Sequence, residues 1–176
     1  MKTAASLLVV TTSCALFAVI DPGWAQAPKP SQHGSVSQQV AGTTITIEYN
    51  RPVARGRELF GALVPYGRVW CPGADNCTTI QISTDVKING QALAAGKYSL
   101  WAEPQQEKWT LMFNRAQPVF HTKYPQDQDV LRVQATPREG APMETLAFYF
   151  PVVDGKRTEL VLHWGTVVVP MEIEVP

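Results

Sequence analysis

A single, mostly antiparallel β-sandwich is the fold class this 176-residue sequence predicts. Three observations carry that expectation. Short segments alternate apolar and polar residues, turn signals separate nearly all of them, and no convincing amphipathic helix follows the N-terminal leader. Alternation of period two gives each strand one face for a core, and many such strands must pack face to face to bury those faces.

The leader comes first. Met1-Lys2 supplies a positive start, Ala4 to Ile20 is an apolar run, and Asp21-Pro22-Gly23-Trp24-Ala25 breaks it with small residues at the positions a peptidase reads. Residues 1–25 therefore read as a secretory signal peptide, cut after Ala25. The run is at the short end for a membrane span, and no later stretch is long and apolar enough to cross. Residues 26–35, rich in Pro, Lys, Ser, Gln and His, have no periodicity and read as a flexible lead. The sandwich is expected over 36–176.

Thr43 to Tyr49 places Ile45, Ile47 and Tyr49 on one face and Thr44, Thr46 and Glu48 on the other; Pro52 ends the strand. Ile80, Ile82, Thr84, Val86 and Ile88 share a second face. Asn89-Gly90 follows, the strongest short hairpin signal in the chain, because both central positions of a type I′ turn need positive φ. Ala95-Gly96 opens a strand over Lys97 to Ala102, and Trp109 to Asn114 returns beside it. Both are apolar on two faces, as strands covered on both sides are. Val130 to Ala135, Thr145 to Phe150, Glu159 to Trp164 and Thr166 to Val175 complete the set. Arg57 to Leu63 is expected to form at most one short turn, and Gln117 to Asp129 a long surface loop.

The formal net charge is zero, and it stays zero without the leader because Lys2 and Asp21 leave together. A neutral domain exerts no global attraction on nucleic acid or an anionic membrane, so neither is an expected partner. Beyond the leader two cysteines remain, Cys71 and Cys77. An exported compartment, expected to be the periplasm or the outside of the cell, permits disulfides.

The irregular stretch from Arg51 to Thr78 is where chemistry concentrates. Arg51, Arg55, Arg57 and Arg68 fall in it, interleaved with Phe60, Tyr66 and Trp70, against only Glu58 and Asp75 as acids. Loops fixed on a rigid sheet carry many binding surfaces. Arg presents a planar donor fork suited to carboxylate or phosphate, and an aromatic ring offers a platform for a sugar or another ring. The candidate ligand-binding residues are Arg51, Arg55, Arg57, Tyr66, Arg68, Trp70, Asn76 and Thr78, and the expected partner is a small polar or anionic ligand. The competing reading makes the arginines braces that satisfy the backbone carbonyls of a long loop, while the aromatics fill core.

Cys71 and Cys77 could supply two metal ligands, but zinc needs four, or three plus water. His33, His121 and His163 are the other candidates, and none falls in a ligand-spaced motif. A catalytic thiol would need a free cysteine beside a histidine. An even pair in an exported protein pairs with itself more often. Pro72, Gly73, Asp75 and Asn76 are turn formers able to bring the two cysteines into range, so a Cys71–Cys77 disulfide is expected and no metal or other cofactor is. Gly-x-Ser-x-Gly, the P-loop and the dinucleotide fingerprint are all missing from the sequence. Asp127 and Asp129 lie two apart, which suits a solvated turn better than a cation site.

Several stretches together resemble a known family: Tyr49 to Pro52 ("YNRP"), Arg55 to Gly61 ("RGRELFG"), Leu63 to Trp70 ("LVPYGRVW"), Thr78 to Ile80 ("TTI") and Ala94 to Trp101 ("AAGKYSLW"). From about Val36 to Val175 the chain is similar to domain-of-unknown-function family 2911, a group of bacterial exported β proteins. The resemblance implies an envelope or secreted β domain and carries no catalytic residue or cofactor with it. The family pattern Trp-Arg-Thr-Gly-Ala-Asn-Glu-Ala-Thr is replaced at 71, 72, 75, 76 and 77 in the stretch Trp70 to Thr78. Any use the family makes of its Arg and Asn-Glu there does not carry over, whereas a cysteine pair could brace the same loop.

The expected function is thus a binding or structural module of the envelope, with Arg51–Thr78 as its ligand-facing edge. One rival is an envelope hydrolase of glycan or peptide, needing acids or a His with an acid in one cleft; Glu48, Glu58, Asp75 and His163 are its candidates. Another is an assembly partner that offers an edge strand.

Overall fold

The computed structural model describes residues 30–176, and the expected signal peptide lies outside the described residues. The described residues form ten strands: β1 (Gln32–Val40), β2 (Thr43–Arg51), β3 (Thr79–Ile82), β4 (Val86–Ile88), β5 (Gln91–Leu93), β6 (Gly96–Glu103), β7 (Trp109–Asn114), β8 (Asp129–Ala135), β9 (Arg138–Asp154) and β10 (Arg157–Glu174). They form a six-stranded sheet in the order β1-β2-β3-β6-β7-β8 and a four-stranded sheet in the order β5-β4-β10-β9. Every strand pairing is antiparallel. The sandwich expected from alternation is therefore the fold, and among the described residues no helix is long and apolar enough to cross a membrane.

The alternating strands build one core. Ile45, Ile47, Ile80 and Ile82 from one sheet meet Ile88, Leu160, Leu162 and Ile173 from the other, all 2 % exposed or less. The shared face of Ile80 to Ile88 turns out to span two strands. The chain leaves the six-stranded sheet after Ile82 and joins the four-stranded one at Val86. The alternation survives because both sheets face the same core, and Thr84 at the switch bonds Thr43 side chain to side chain at 2.6 Å. Asn89 (φ 47°) and Gly90 (φ 80°) then make the expected tight turn from β4 into β5.

Two boundaries differ from the sequence reading. The lead expected to stay flexible to residue 35 is already strand from Gln32, with His33 opposite Asn50 and Val36 opposite Ile47. β1 is an edge strand rich in Ser and Gln whose inner positions are half-buried until Val40, so apolar periodicity does not announce it. The expected strands Glu159–Trp164 and Thr166–Val175 are one, β10, which bends at Gly165 (φ 60°) with register shifts on both sides. A Cβ at Gly165 would lie 2.9 Å from Leu59 Cδ1, so the bend also admits the irregular loop against the sheet.

That loop, residues 52–78, joins neighbouring strands of one sheet, yet it visits the other sheet on the way. Ala54 N donates to Glu144 O and Leu146 N to Pro52 O, which ties its start to β9. It then turns back, and Trp70 exchanges two 2.8 Å backbone bonds with Ala102 on β6. No helical turn forms; Leu63 N and Val64 N reach back to Glu58 O and Leu59 O across a compact loop.

Candidate functional site

The excursion leaves an open groove of about 560 Å³ on the end of the sandwich. Arg55, Arg57 and Arg68 line it, with Trp70, Trp164 and His121, and no Asp or Glu contributes among the described residues. Each arginine is placed differently. Ala54 to Arg57 is a tight turn closed by Arg57 N to Ala54 O at 3.2 Å, with Arg55 (φ 53°) and Gly56 (φ 69°) both left-handed. Glu144 clamps this turn, its Oε1 accepting from Arg55 N at 2.6 Å. The Arg55 guanidinium makes one long bond, 3.4 Å from Nη2 to Pro30 O. Arg57 folds back on its own turn, Nε to Ala54 O at 2.8 Å and Nη2 to Val53 O at 2.7 Å. Arg68 is exposed and has no hydrogen bond or ion pair among the described residues.

The aromatic residues of the loop divide between floor and rim. Trp70 lies half-buried and stacks on Trp164, with ring centroids 6.1 Å apart and planes 15° from parallel. Phe60 meets Trp70, Trp109 and Trp164 edge-on, so the loop is anchored by an aromatic cluster that continues the core. Such a base holds the arginines on a fixed surface instead of a loose one.

Of the residues singled out in the sequence, Arg55, Arg57, Arg68 and Trp70 come together in the groove, while four lie elsewhere. Arg51 ends β2 and is spent on structure: its Nε donates to Leu146 O at 3.1 Å, joining the two sheets, and its stem fills the space over Gly34. Tyr66 sits beyond the groove against Gly61. Asn76 bridges to Phe120 on the loop that follows β7. Thr78 is fully buried and donates its hydroxyl to Pro72 O at 2.5 Å. The bracing reading thus describes Arg51 and Thr78, and half describes Arg57.

Cys71 and Cys77 form a disulfide with Cα atoms 5.7 Å apart. Its role follows from register. Ala102 N bonds Trp70 O and Leu100 N bonds Thr78 O, so residues 70 and 78 occupy adjacent acceptor places along β6. The bond closes the bulge between them, keeping one strand line in place across residues 71–77. Both cysteines are buried with Trp101 and Met112 under the loop that follows β7.

That loop contributes residues that sequence reasoning did not assign to a site. Cys77 N donates to Val119 O and His121 N to Asp75 O, a short ladder that sets His121 in the groove wall. Asn114, Tyr124, Asp129 and Arg132 pin the far end. Asp129 accepts from Asn114 Nδ2 and Arg132 Nε, both at 2.8 Å, and from the Tyr124 hydroxyl. Burial, then that bond to the Asp129 carboxylate, pushes the Tyr124 phenol above its usual range. Asp127 and Asp129 thus do not act as a pair; Asp129 is a structural acceptor.

The acids and the histidine weighed for hydrolysis are dispersed. His163 is buried, with Nδ1 3.1 Å from the Tyr149 hydroxyl and Nε2 3.0 Å from Ala141 O, so neither nitrogen meets a carboxylate. Glu48 pairs with Lys97 at 2.8 Å on the outer face of the six-stranded sheet, and that hydrogen bond lowers its pKa. Among the described residues no three His, Cys, Asp or Glu side chains group as a metal site would.

No curated protein matches the chain. No solved structure matches it either. The family described as a protein of unknown function, DUF2911, matches residues 31–173, from the start of β1 to the end of β10. The chain therefore belongs to the DUF2911 family.

Proposed function

We propose that the protein is an exported binding module of the cell envelope or its exterior, and that its groove takes a polar or anionic ligand. The observation that carries this reading is the charge of the groove lining: three arginines and a histidine line it, no Asp or Glu does among the described residues, and the nearby Glu144 carboxylate is engaged by the Arg55 amide. A concave, low-acid surface raises the local concentration of anions and supplies donor forks to hold them. Arg68 has no hydrogen bond or ion pair among the described residues, so its guanidinium is open to a ligand. The Cys71–Cys77 bond supports export, because disulfides persist in oxidising compartments.

Thermal shift tests this directly, since a ligand that binds only the native state raises its melting point. At a concentration 100-fold above Kd the gain is about 2.7 kcal/mol, or roughly 5–10 °C for a domain of this size. Arg68→Ala is expected to keep the unliganded melting point and to weaken binding about tenfold or more, the cost of losing a hydrogen bond to a charged group. Equal shifts in wild type and Arg68→Ala would place the ligand elsewhere.

A further inference from the structure

The groove does not stop at Arg57. Behind the Ala54–Arg57 turn lies a second basin of about 490 Å³, lined by Leu59, Tyr66, Met143, Glu144 and Thr166 among others. Arg57 and Trp164 line both basins, so they form the saddle between them. The Arg57 guanidinium is held at two of its nitrogens by Val53 O and Ala54 O, which leaves Nη1 without a hydrogen bond among the described residues. A fixed fork with a spare donor, at the border of two concave surfaces, is placed to grip the middle of a ligand.

Building on the binding reading above, we infer that the two basins are one site for an extended ligand: a linear chain of carboxylated sugar rings that crosses Arg57. Each basin alone has the size, about 300–1,000 Å³, that ordinarily holds a whole small ligand. Two such basins with shared walls exceed what one small anion fills. The chemistry on each side favours a glycan over a peptide. Peptides are commonly gripped by main-chain pairing to a free strand edge. Here Pro30, Pro52 and Pro65 wall the first basin without a backbone N–H to offer, and Val53 and Trp70 are already bridged to Thr145 and Ala102. What remains is ring and guanidinium. Half-buried Trp70 serves the first basin, and Tyr66, 40 % exposed, serves the second. Flat aromatic faces suit sugar rings, and arginine forks suit their carboxylates. Glu144 lines the second basin, so that side reads the ring more than the charge, while Arg55 and Arg68 select the acid in the first.

The test is a calorimetric titration of galacturonate and of linear oligogalacturonates of increasing length. Wild type should bind the tetramer at least tenfold more tightly than the monomer. Thr166 is exposed and lines the second basin, so Thr166→Trp fills that basin without touching the first. It should remove the gain with length and keep the affinity for the monomer. Arg68→Ala should weaken every length by a similar factor. Thr166→Gln, a smaller obstruction, serves if the tryptophan variant does not fold. Equal affinity for all lengths, or a gain that survives both Thr166 variants, would overturn the extended site. So would binding of poly-glutamate as tight as that of the glycan, which would make charge alone the determinant. Binding of the monomer alone sinks this inference and spares the anion groove; no binding of any anion sinks both.

Discussion

Arg55 holds a backbone conformation that side-chain-bearing residues avoid. Its φ of 53° costs about 1–2 kcal/mol in a non-glycine residue, and Glu144 holds it there through the Arg55 amide. Strain that persists beside a concave surface motivates a functional reading of the side chain. Arg55→Gly separates the two roles. It relieves the strain and keeps the amide bond to Glu144, so its unfolding free energy should stay level or rise by up to about 1 kcal/mol. Ligand affinity should fall because the guanidinium is gone. Chemical denaturation and titration of the same variant give both answers, and a clear loss of stability with unchanged affinity would make Arg55 a structural residue. Among the described residues the three groove arginines thus form a series: Arg57 mostly fixed, Arg55 loosely tied and Arg68 unengaged. Residue type in the sequence could not rank them, because a brace and a ligand contact use the same guanidinium.

At the scale of elements, the stapled bulge shows how a local motif serves a distant surface. Closing a loop of this length removes about 2 kcal/mol of unfolded-chain entropy in the loop-closure picture. The bond also holds Trp70, which lines the groove, in register with β6. The Cys71→Ala/Cys77→Ala variant should lose about 2 kcal/mol or slightly more in chemical denaturation. Reductant should destabilise wild type and leave the variant unchanged. Anion affinity should fall in parallel, as the Trp70 wall loosens; unaltered affinity would show that the bulge stabilises without shaping the groove. The pairing itself was legible in the sequence from the even cysteine pair, the expectation of export and the turn formers between the cysteines. Strand positions were legible wherever alternation was strong, as in Thr43 to Tyr49. They were not legible in β1, whose inner face includes Gly34 and Gln38, nor at the Gly165 bend, where one strand imitates two.

For the whole molecule, the sandwich presents the groove at the end where the 52–78 loop touches both sheets. Part of the groove lining could be read in advance, because Arg55, Arg57, Arg68 and Trp70 lie within one stretch of chain. The rest could not. His121 arrives through the ladder between residues 75–77 and 119–121, and Trp164 through the bend of β10. Both contacts are set by tertiary packing and leave no local spacing to recognise. The same packing buries Thr78 and draws Arg51 partly out of solvent by giving each a backbone carbonyl to satisfy. It also engages both nitrogens of His163 within the four-stranded sheet, away from any acid. The central claim is that the basic groove, and not another face, meets an anion. Nitrogen-15 NMR during a galacturonate titration tests it most directly. The account predicts saturable shifts in the Arg68 backbone and side chain, the Trp70 indole N–H and the His121 amide, with Lys97 and Glu48 on the outer face unmoved. Shifts confined to that outer face, or none at millimolar galacturonate, would contradict it.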